Sequence, residues 1–331
     1  MVETIIELRD VKVYYTVRKG ALLGVKKIVR AVDGVSLSIP RGKVISLVGE
    51  SGCGKSTLGK VIAGLVKPTA GEVLWHGKNV WSLPKSEFYV YRRKVQYMPQ
   101  DPYSAFNPAK TVFDALCDPL IRWGKARSKA ECIDIVLKTL EEIKVTPPEE
   151  YIFRYPHQLS GGERQRILFA RILTVDPELI VADEAVSAID VALRIDLMNL
   201  MLEYWEKKQL SYVFISHELA SARYMAEKTG GSMAVMYLGQ IVEMGPPRKL
   251  IEEPLHPYTE ALVDATPELD IEMSRAKRLK LRAIDIPDAS NPPPGCRFHT
   301  RCPYATARCA RECPPLVEVE KGRYVRCWRY A

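Results

Sequence analysis

The sequence predicts an α/β protein: a parallel core sheet carrying a phosphate-binding loop, an antiparallel β layer, an inserted helical subdomain and a small Cys-rich C-terminal domain. Three observations point there. The motif "GESGCGKS" (49–56) lies between the apolar run "KVISLVG" (43–49) and "KSTLGKVIAGL" (55–65), whose apolar residues recur at helical spacing. Two more buried-type strands, "ELIVAD" (178–183) and "SYVFIS" (211–216), are separated from their neighbours by helical stretches, as a parallel sheet requires. Five of the eight cysteines fall within residues 296–327.

The elements follow in order. Residues 5–39 read as short alternating strands ("IIELRDVKVYYTV", "VSLSI") broken by a Gly/Lys-rich loop at 18–27, which suits an antiparallel edge layer. The strand–loop–helix unit comes next. About 103–150 is mostly helical by pattern, with "KAECIDIVLKTLEEIKV" (129–145) its clearest amphipathic helix. "AVMYLGQIVEMG" (234–245) reads as a hairpin, after which composition turns Pro-rich and basic through 246–295 and "NPPPG" (291–295) reads as a stiff linker. The expected organisation is a nucleotide-binding domain over 1–250, its helical subdomain at about 100–160, and a C-terminal domain over 251–331.

With 331 residues, 47% hydrophobic and 27% charged, the chain is long enough for about two cores. No apolar run reaches the ~18–20 residues of a membrane-spanning helix, and the start "MVETIIELRDVKVYY" lacks a basic region followed by an apolar one. A reducing cytosol is therefore expected, which argues against a disulfide framework; Cys53, Cys117 and Cys132 read as packed or incidental thiols. The net charge of +8 permits contact with nucleic acid or an anionic membrane. The basic stretches at 18–30 and 274–282 read most simply as solvated faces.

Three motifs carry chemistry. In "GESGCGKS" the backbone N–H groups of Gly49, Glu50, Ser51, Gly52, Cys53 and Gly54 would wrap phosphates, continuing through Ser56 and Thr57. Lys55 reaches the β and γ oxygens and the Ser56 hydroxyl takes a place on Mg²⁺. "LIVADE" (179–184) ends an apolar strand in two carboxylates: Asp183 would hold Mg²⁺, and Glu184 would polarise the water that attacks the γ-phosphate. "LSGGERQR" (159–166) pairs Ser160 with Glu163 as a capping box, while Gly161 and Gly162 expose a helix N-terminus that attracts phosphate. A second anion site in a chain that already has one suggests nucleotide shared between two subunits.

In this order, the motifs resemble the nucleotide-binding subunit of an ATP-binding-cassette (ABC) transporter over residues 1–250. More specifically, "AVDGVSLSI", "GESGCGKSTLGK", "QDPYSAFNP", "YPHQLSGGERQR", "MYLGQIVEMG" and "HPYTEAL" resemble the ATPases of oligopeptide/dipeptide importers. The resemblance implies a P-loop ABC ATPase fold. It also implies that Tyr15 stacks on adenine, that Gln100 links Mg²⁺ and the attacking water to the helical subdomain, and that His217 contacts the γ-phosphate and orients Glu184. "SAID" (187–190), ending in Asp190, becomes the subunit-contact loop at the nucleotide. Two departures stand out: Ala185 replaces the usual Pro, and "EKTGG" (227–231) looks longer than the usual connection. His157, His256 and the "HPYT" turn read as packing features.

For the tail thiols the residues alone leave metal choices open. Cys309 and Cys313 could form a zinc knuckle with His299 as a further ligand, whereas widely spaced thiolates suit an iron–sulfur cluster. The family resemblance implies a [4Fe–4S] cluster on Cys296, Cys302, Cys309 and Cys327, with Cys313 extra. Because the tail lies far beyond the last nucleotide motif, substituting Cys302 is expected to harm tail folding or assembly more than ATP binding. The resemblance further implies a second related ATPase subunit in a heterodimer, two transmembrane permease subunits, an extracellular substrate-binding protein, and a place on the cytoplasmic face of the cell membrane. Oligosaccharides are the alternative cargo. The rival readings are a soluble ABC ATPase acting on nucleic acid, disfavoured by a single cassette without sustained heptads, and a non-enzymatic cassette that only supports a partner.

Overall fold

The computed structural model describes residues 3–19, 25–187, 189–265 and 280–331. Residues 20–24 of the Gly/Lys-rich loop, Ala188 of "SAID" and residues 274–279 of the second basic stretch lie outside the described residues. Two compact units are present: Met1–Ser82 with Val213–Ala331, and Leu83–Tyr212.

In the first unit the expected short strands are two long ones, Thr4–Lys19 and Val25–Pro40, paired antiparallel. Ala70–Trp75 and Lys78–Asn79 extend this layer beside Thr4–Lys19. The run "IIELRDVKVYYTV" crosses a bulge within the first strand, and the second extends N-terminally from "VSLSI" to Val25. Ile6, Leu8, Val11 and Val13 are buried, so the spacing of two becomes three at Asp10, which adopts φ 45° where the register slips between Leu8 and Val11. The extra residue of a bulge bends the strand without ending it.

The same unit holds a second sheet in which Val317–Glu320, Arg323–Val325, Gln240–Gly245, Ser232–Tyr237 and Val44–Val48 are successive neighbours. Val44–Val48 is buried at every position and runs parallel to Ser232–Tyr237, which explains its unbroken apolar run. The hairpin turns through Leu238 and Gly239, both at positive φ, as a tight two-residue turn requires. "EKTGG" is the cap of helix Leu219–Lys228: Gly231 N–H donates to the Ala226 carbonyl at 2.8 Å, and Lys43 holds the Thr229 carbonyl at 3.0 Å. The described part of the C-terminal region belongs to this unit. Phe298 and Cys302 share a core cluster with Val48, Tyr237, Leu238 and Tyr258, so the tail packs into the core of this unit.

In the second unit Val95–Met98 runs parallel to Leu179–Asp183. Helices Val112–Arg122 and Lys129–Glu142 start at Thr111 and Ser128, whose side chains accept from the Asp114 and Glu131 amides. The second helix ends before the expected position 145, since Lys144 turns left-handed at φ 61°. These helices pack together and correct one reading. Cys117 and Cys132 are not separate incidental thiols but a buried disulfide with Cα atoms 5.6 Å apart. Their spacing of 15 residues carries no sign of this until two helices fold back on each other.

Candidate nucleotide site

The phosphate loop lies in the first unit, between strand Val44–Val48 and helix Lys55–Ile62. Two glycines are dictated by space. A Cβ at Gly49 would stand 2.1 Å from the Met236 carbonyl oxygen, and one at Gly54 would stand 2.0 Å from that of Ala31. The loop is braced from outside where the Gly239 amide donates to the Cys53 carbonyl at 2.8 Å. Buried Lys55 donates to the carbonyls of Gly49 at 2.7 Å and Glu50 at 3.1 Å, so its ammonium is already turned toward the concave side of the loop. Burial raises the Cys53 thiol despite the neighbouring Lys55. Elsewhere in this unit Tyr15 is an exposed strand aromatic, 42% accessible, and exposed His217 follows the fully buried strand Ser211–Ser216.

The second unit holds the carboxylates. Asp183 ends its strand buried and accepts a hydrogen bond from the Tyr97 hydroxyl. Glu184 follows at φ 48°, a conformation costing a non-glycine residue ~1–3 kcal/mol that the surroundings must impose. Those surroundings are visible. Ser187 donates to the Glu184 carbonyl from both its amide and hydroxyl, and Gln165 donates to the Ala185 carbonyl at 2.6 Å. Ala185 thus sits in a turn closed by neighbours, without the usual Pro. Gln100 Nε2 donates to the Glu184 carboxylate at 2.9 Å, which brings together two of the residues singled out as catalytic.

The glycine-bearing helix Gly161–Leu173 starts as its sequence dictates. The Glu163 amide donates to Ser160 Oγ at 3.3 Å and the Ser160 amide to Glu163 Oε2 at 2.7 Å. Burial pulls the Glu163 pKa upward, but hydrogen bonds from Tyr151 and Ser160 outweigh it and hold the carboxylate below its ordinary value. Gly162 packs against Leu193, leaving 3.1 Å for a Cβ. Exposed Asp190 precedes helix Val191–Lys208.

The C-terminal region meets the phosphate loop directly. Arg301 donates to both carboxylate oxygens of Glu50 at 2.8 and 3.0 Å, and the Tyr258 hydroxyl accepts from the Glu50 amide at 2.8 Å. "HPYT" is therefore more than packing, although His256 itself is buried and caps its helix by accepting from the Tyr258 amide. Nearby, Arg297 donates to Asp33 and to the Leu238 carbonyl.

Cys296, Cys302, Cys309 and Cys327, all free, line one cavity of about 180 Å³ together with His299 and Phe298. Cys313 is not in this lining and sits against Gln240, so the Cys309/Cys313 knuckle does not form. Burial pushes the Cys296 thiol up to about 12 and raises Cys302 and Cys327. Among the described residues no group of three or more His, Cys, Asp or Glu is placed to hold a metal ion.

Fold and motifs define an ABC-type ATPase, and comparison with known proteins specifies which. Residues 32–187 match the ABC transporter family and residues 242–309 match the oligopeptide/dipeptide transporter C-terminal region. The oligopeptide transport ATP-binding protein AppF of Bacillus subtilis is 40% identical over 331 residues, covering 99% of this chain and 98% of the relative. The dipeptide transport ATP-binding protein DppF of Haemophilus influenzae is 41% identical over 317 residues, covering 96% and 94%. Among solved structures, a dimeric ATP-binding cassette in a post-hydrolysis state with ADP and Pi has a TM-score of 0.63 at 27% identity, covering 74% of this chain and 99% of its own. The cbiO1 protein of Clostridium perfringens shares the fold with a TM-score of 0.61 at 20% identity, covering 76% and 92%. The chain belongs to the family of oligopeptide/dipeptide ABC transport ATP-binding proteins, with the P-loop ABC ATPase fold built on mixed α/β sheets.

Proposed function

We infer that this chain hydrolyses ATP to power an ABC importer of oligopeptides or dipeptides. The observation that carries the reading is the phosphate loop itself, with glycines at Gly49 and Gly54 where no side chain fits and Lys55 turned inward. The loop amides and Lys55 bind the phosphates. Ser56 of the first unit and Gln100 and Asp183 of the second would supply oxygen donors of the kind Mg²⁺ favours, and the ion would offset phosphate charge. Glu184 orients the attacking water, Gln100 holds Glu184 through their hydrogen bond, and His217 contacts the γ-phosphate. Tyr15, exposed on its strand, stacks on adenine.

The helix end at Ser160–Glu163 and the loop ending in Asp190 serve a partner cassette, so that ATP completes the pair and its loss reopens it. That partner is a related second ATPase, and the pair works on two permease subunits and an extracellular binding protein from the cytoplasmic face. No described helix is long and apolar enough to cross a membrane. The relatives named above are peptide transporters, which favours peptides over the oligosaccharide alternative.

For the tail thiols the family resemblance favours a [4Fe–4S] cluster over zinc. The ligands would be Cys296, Cys302, Cys309 and Cys327, which line one cavity. Such a cluster would brace the tail, as structural metals brace small modules.

The ATPase reading is tested with two variants. Lys55→Ala is expected to lose ATP binding, whereas Glu184→Gln retains binding and slows hydrolysis by ~10²–10³-fold. Normal hydrolysis by Glu184→Gln would refute the catalytic assignment.

A further inference from the structure

We propose that Arg301 is a positioning residue for the phosphate loop, and that it neutralises Glu50 so that the loop can accept the polyphosphate of ATP. The inference rests on the reading of residues 49–56 as the nucleotide loop. Glu50 is held at three points. Its carboxylate takes a two-pronged bond from Arg301, its amide donates to the Tyr258 hydroxyl at 2.8 Å, and its carbonyl accepts from Lys55 at 3.1 Å. Two of the three come from the C-terminal region.

Arg301 is firmly placed for this contact. It is 5% exposed, held in a turn where its amide donates to the Phe298 carbonyl at 3.0 Å, and its guanidinium lies 5.7 Å from the Tyr237 ring centre and 5.5 Å from that of Phe298. A fork pre-set by two rings spends little freedom on binding a carboxylate bidentately. Without it, a carboxylate only partly exposed would stand uncompensated on the loop that receives phosphate. Like charge there opposes ATP. The loop would also lose the anchor that holds its amides in a binding geometry.

The test measures equilibrium binding of ATP and steady-state KM and kcat on the full chain. Arg301→Gln is expected to weaken ATP binding about 10-fold, within the ~5–150-fold range of coupled sites, and to act on KM more than on kcat. The Arg301→Gln/Glu50→Gln pair removes the exposed charge along with its partner, and binding is expected to return to within about 3-fold of the wild type. Arg301→Lys keeps the charge but not the fork and is expected to recover most of the loss. A role confined to folding would leave the double variant no better than the single one. Wild-type affinity in folded Arg301→Gln, equal losses in Arg301→Lys and Arg301→Gln, or a further loss in the double variant would each overturn the proposal. Lys55→Ala separates the two levels. Unchanged ATP binding there would bring down the loop reading and the proposal with it, whereas loss in Lys55→Ala beside normal binding in Arg301→Gln brings down the proposal alone.

Discussion

Replacing Tyr258 with Phe removes one oxygen atom and keeps a ring that is 1% exposed. The ring centre lies 4.5 Å from that of Tyr237 and 5.4 Å from that of Phe298, so core packing is retained and no cavity opens. What is lost is the acceptor for the Glu50 amide at 2.8 Å. If water takes its place the cost is ~1 kcal/mol, and if the amide is left unpaired it is ~1–3 kcal/mol. Glu50 is only partly buried, which favours the lower end. Global melting is a poor readout, because two compact units need not unfold together. Local amide exchange is a direct one. A cost of 1–2 kcal/mol predicts exchange about 5–30-fold faster in peptides spanning the phosphate loop. Tyr258→Ala supplies the contrast, since deleting the ring adds ~3–5 kcal/mol of lost burial and cavity. Unchanged exchange in Tyr258→Phe, with acceleration confined to Tyr258→Ala, would refute the role given to the hydroxyl.

Two further outcomes are expected. Burial lowers the His256 pKa to about 3 from an ordinary 6.5, with the Arg326 charge adding to the effect. The unfolded chain therefore takes up a proton that the folded chain refuses. Stability is full above about pH 6.5 and falls toward pH 3 by at most ~1.4 kcal/mol per pH unit. Between pH 7.5 and 5.5, amide protection in peptides spanning helix Pro257–Asp264, corrected for intrinsic exchange, should decline less in His256→Asn, which keeps a capping acceptor; an identical decline refutes the assignment. For the tail, anaerobically purified chain should be brown and contain about four iron atoms. Cys302→Ser should lose that colour and Cys313→Ser should keep it, while stoichiometric zinc or metal-free protein would count against the cluster.

What was legible in the sequence was local. The phosphate loop, the Ser160–Glu163 capping box and the 234–245 hairpin each depend on residues a few positions apart, where spacing maps onto hydrogen bonds. The full length of Val25–Pro40 does not show in its pattern, because its N-terminal half is basic and is fixed by pairing with Thr4–Lys19. Contacts made across the chain left no such trace. Tyr97 reaches Asp183 over 86 residues, Tyr258 reaches Glu50 over 208, and Arg301 reaches Glu50 over 251. Nothing in the pattern around Arg301 distinguishes it from the other basic residues of the tail. Even so, one signal was available: the second residue of the loop is an acid, an awkward charge for a phosphate cradle, and a compensating base had to be sought somewhere.

The placement of that base bears on what the C-terminal region is for. Two arginines only four positions apart, Arg297 and Arg301, are 6% and 5% exposed, and each is paired with a carboxylate of the nucleotide-binding part: Asp33 and Glu50. Breaking either pair would strand a buried charge at a cost of ~3–5 kcal/mol. Arg297 also donates to the carbonyl of Leu238, next to the Gly239 whose amide holds Cys53 of the loop. The tail thus grips the loop from both of its sides, through Glu50 near its start and through the hairpin turn at Cys53. Cys296 and Cys302 flank these arginines in sequence, and both line the thiol cavity. A tail built only to dock partners would have no need to place both guanidiniums against the nucleotide-binding part. Both guanidiniums instead meet carboxylates beside the phosphate loop, as the positioning role given to Arg301 requires.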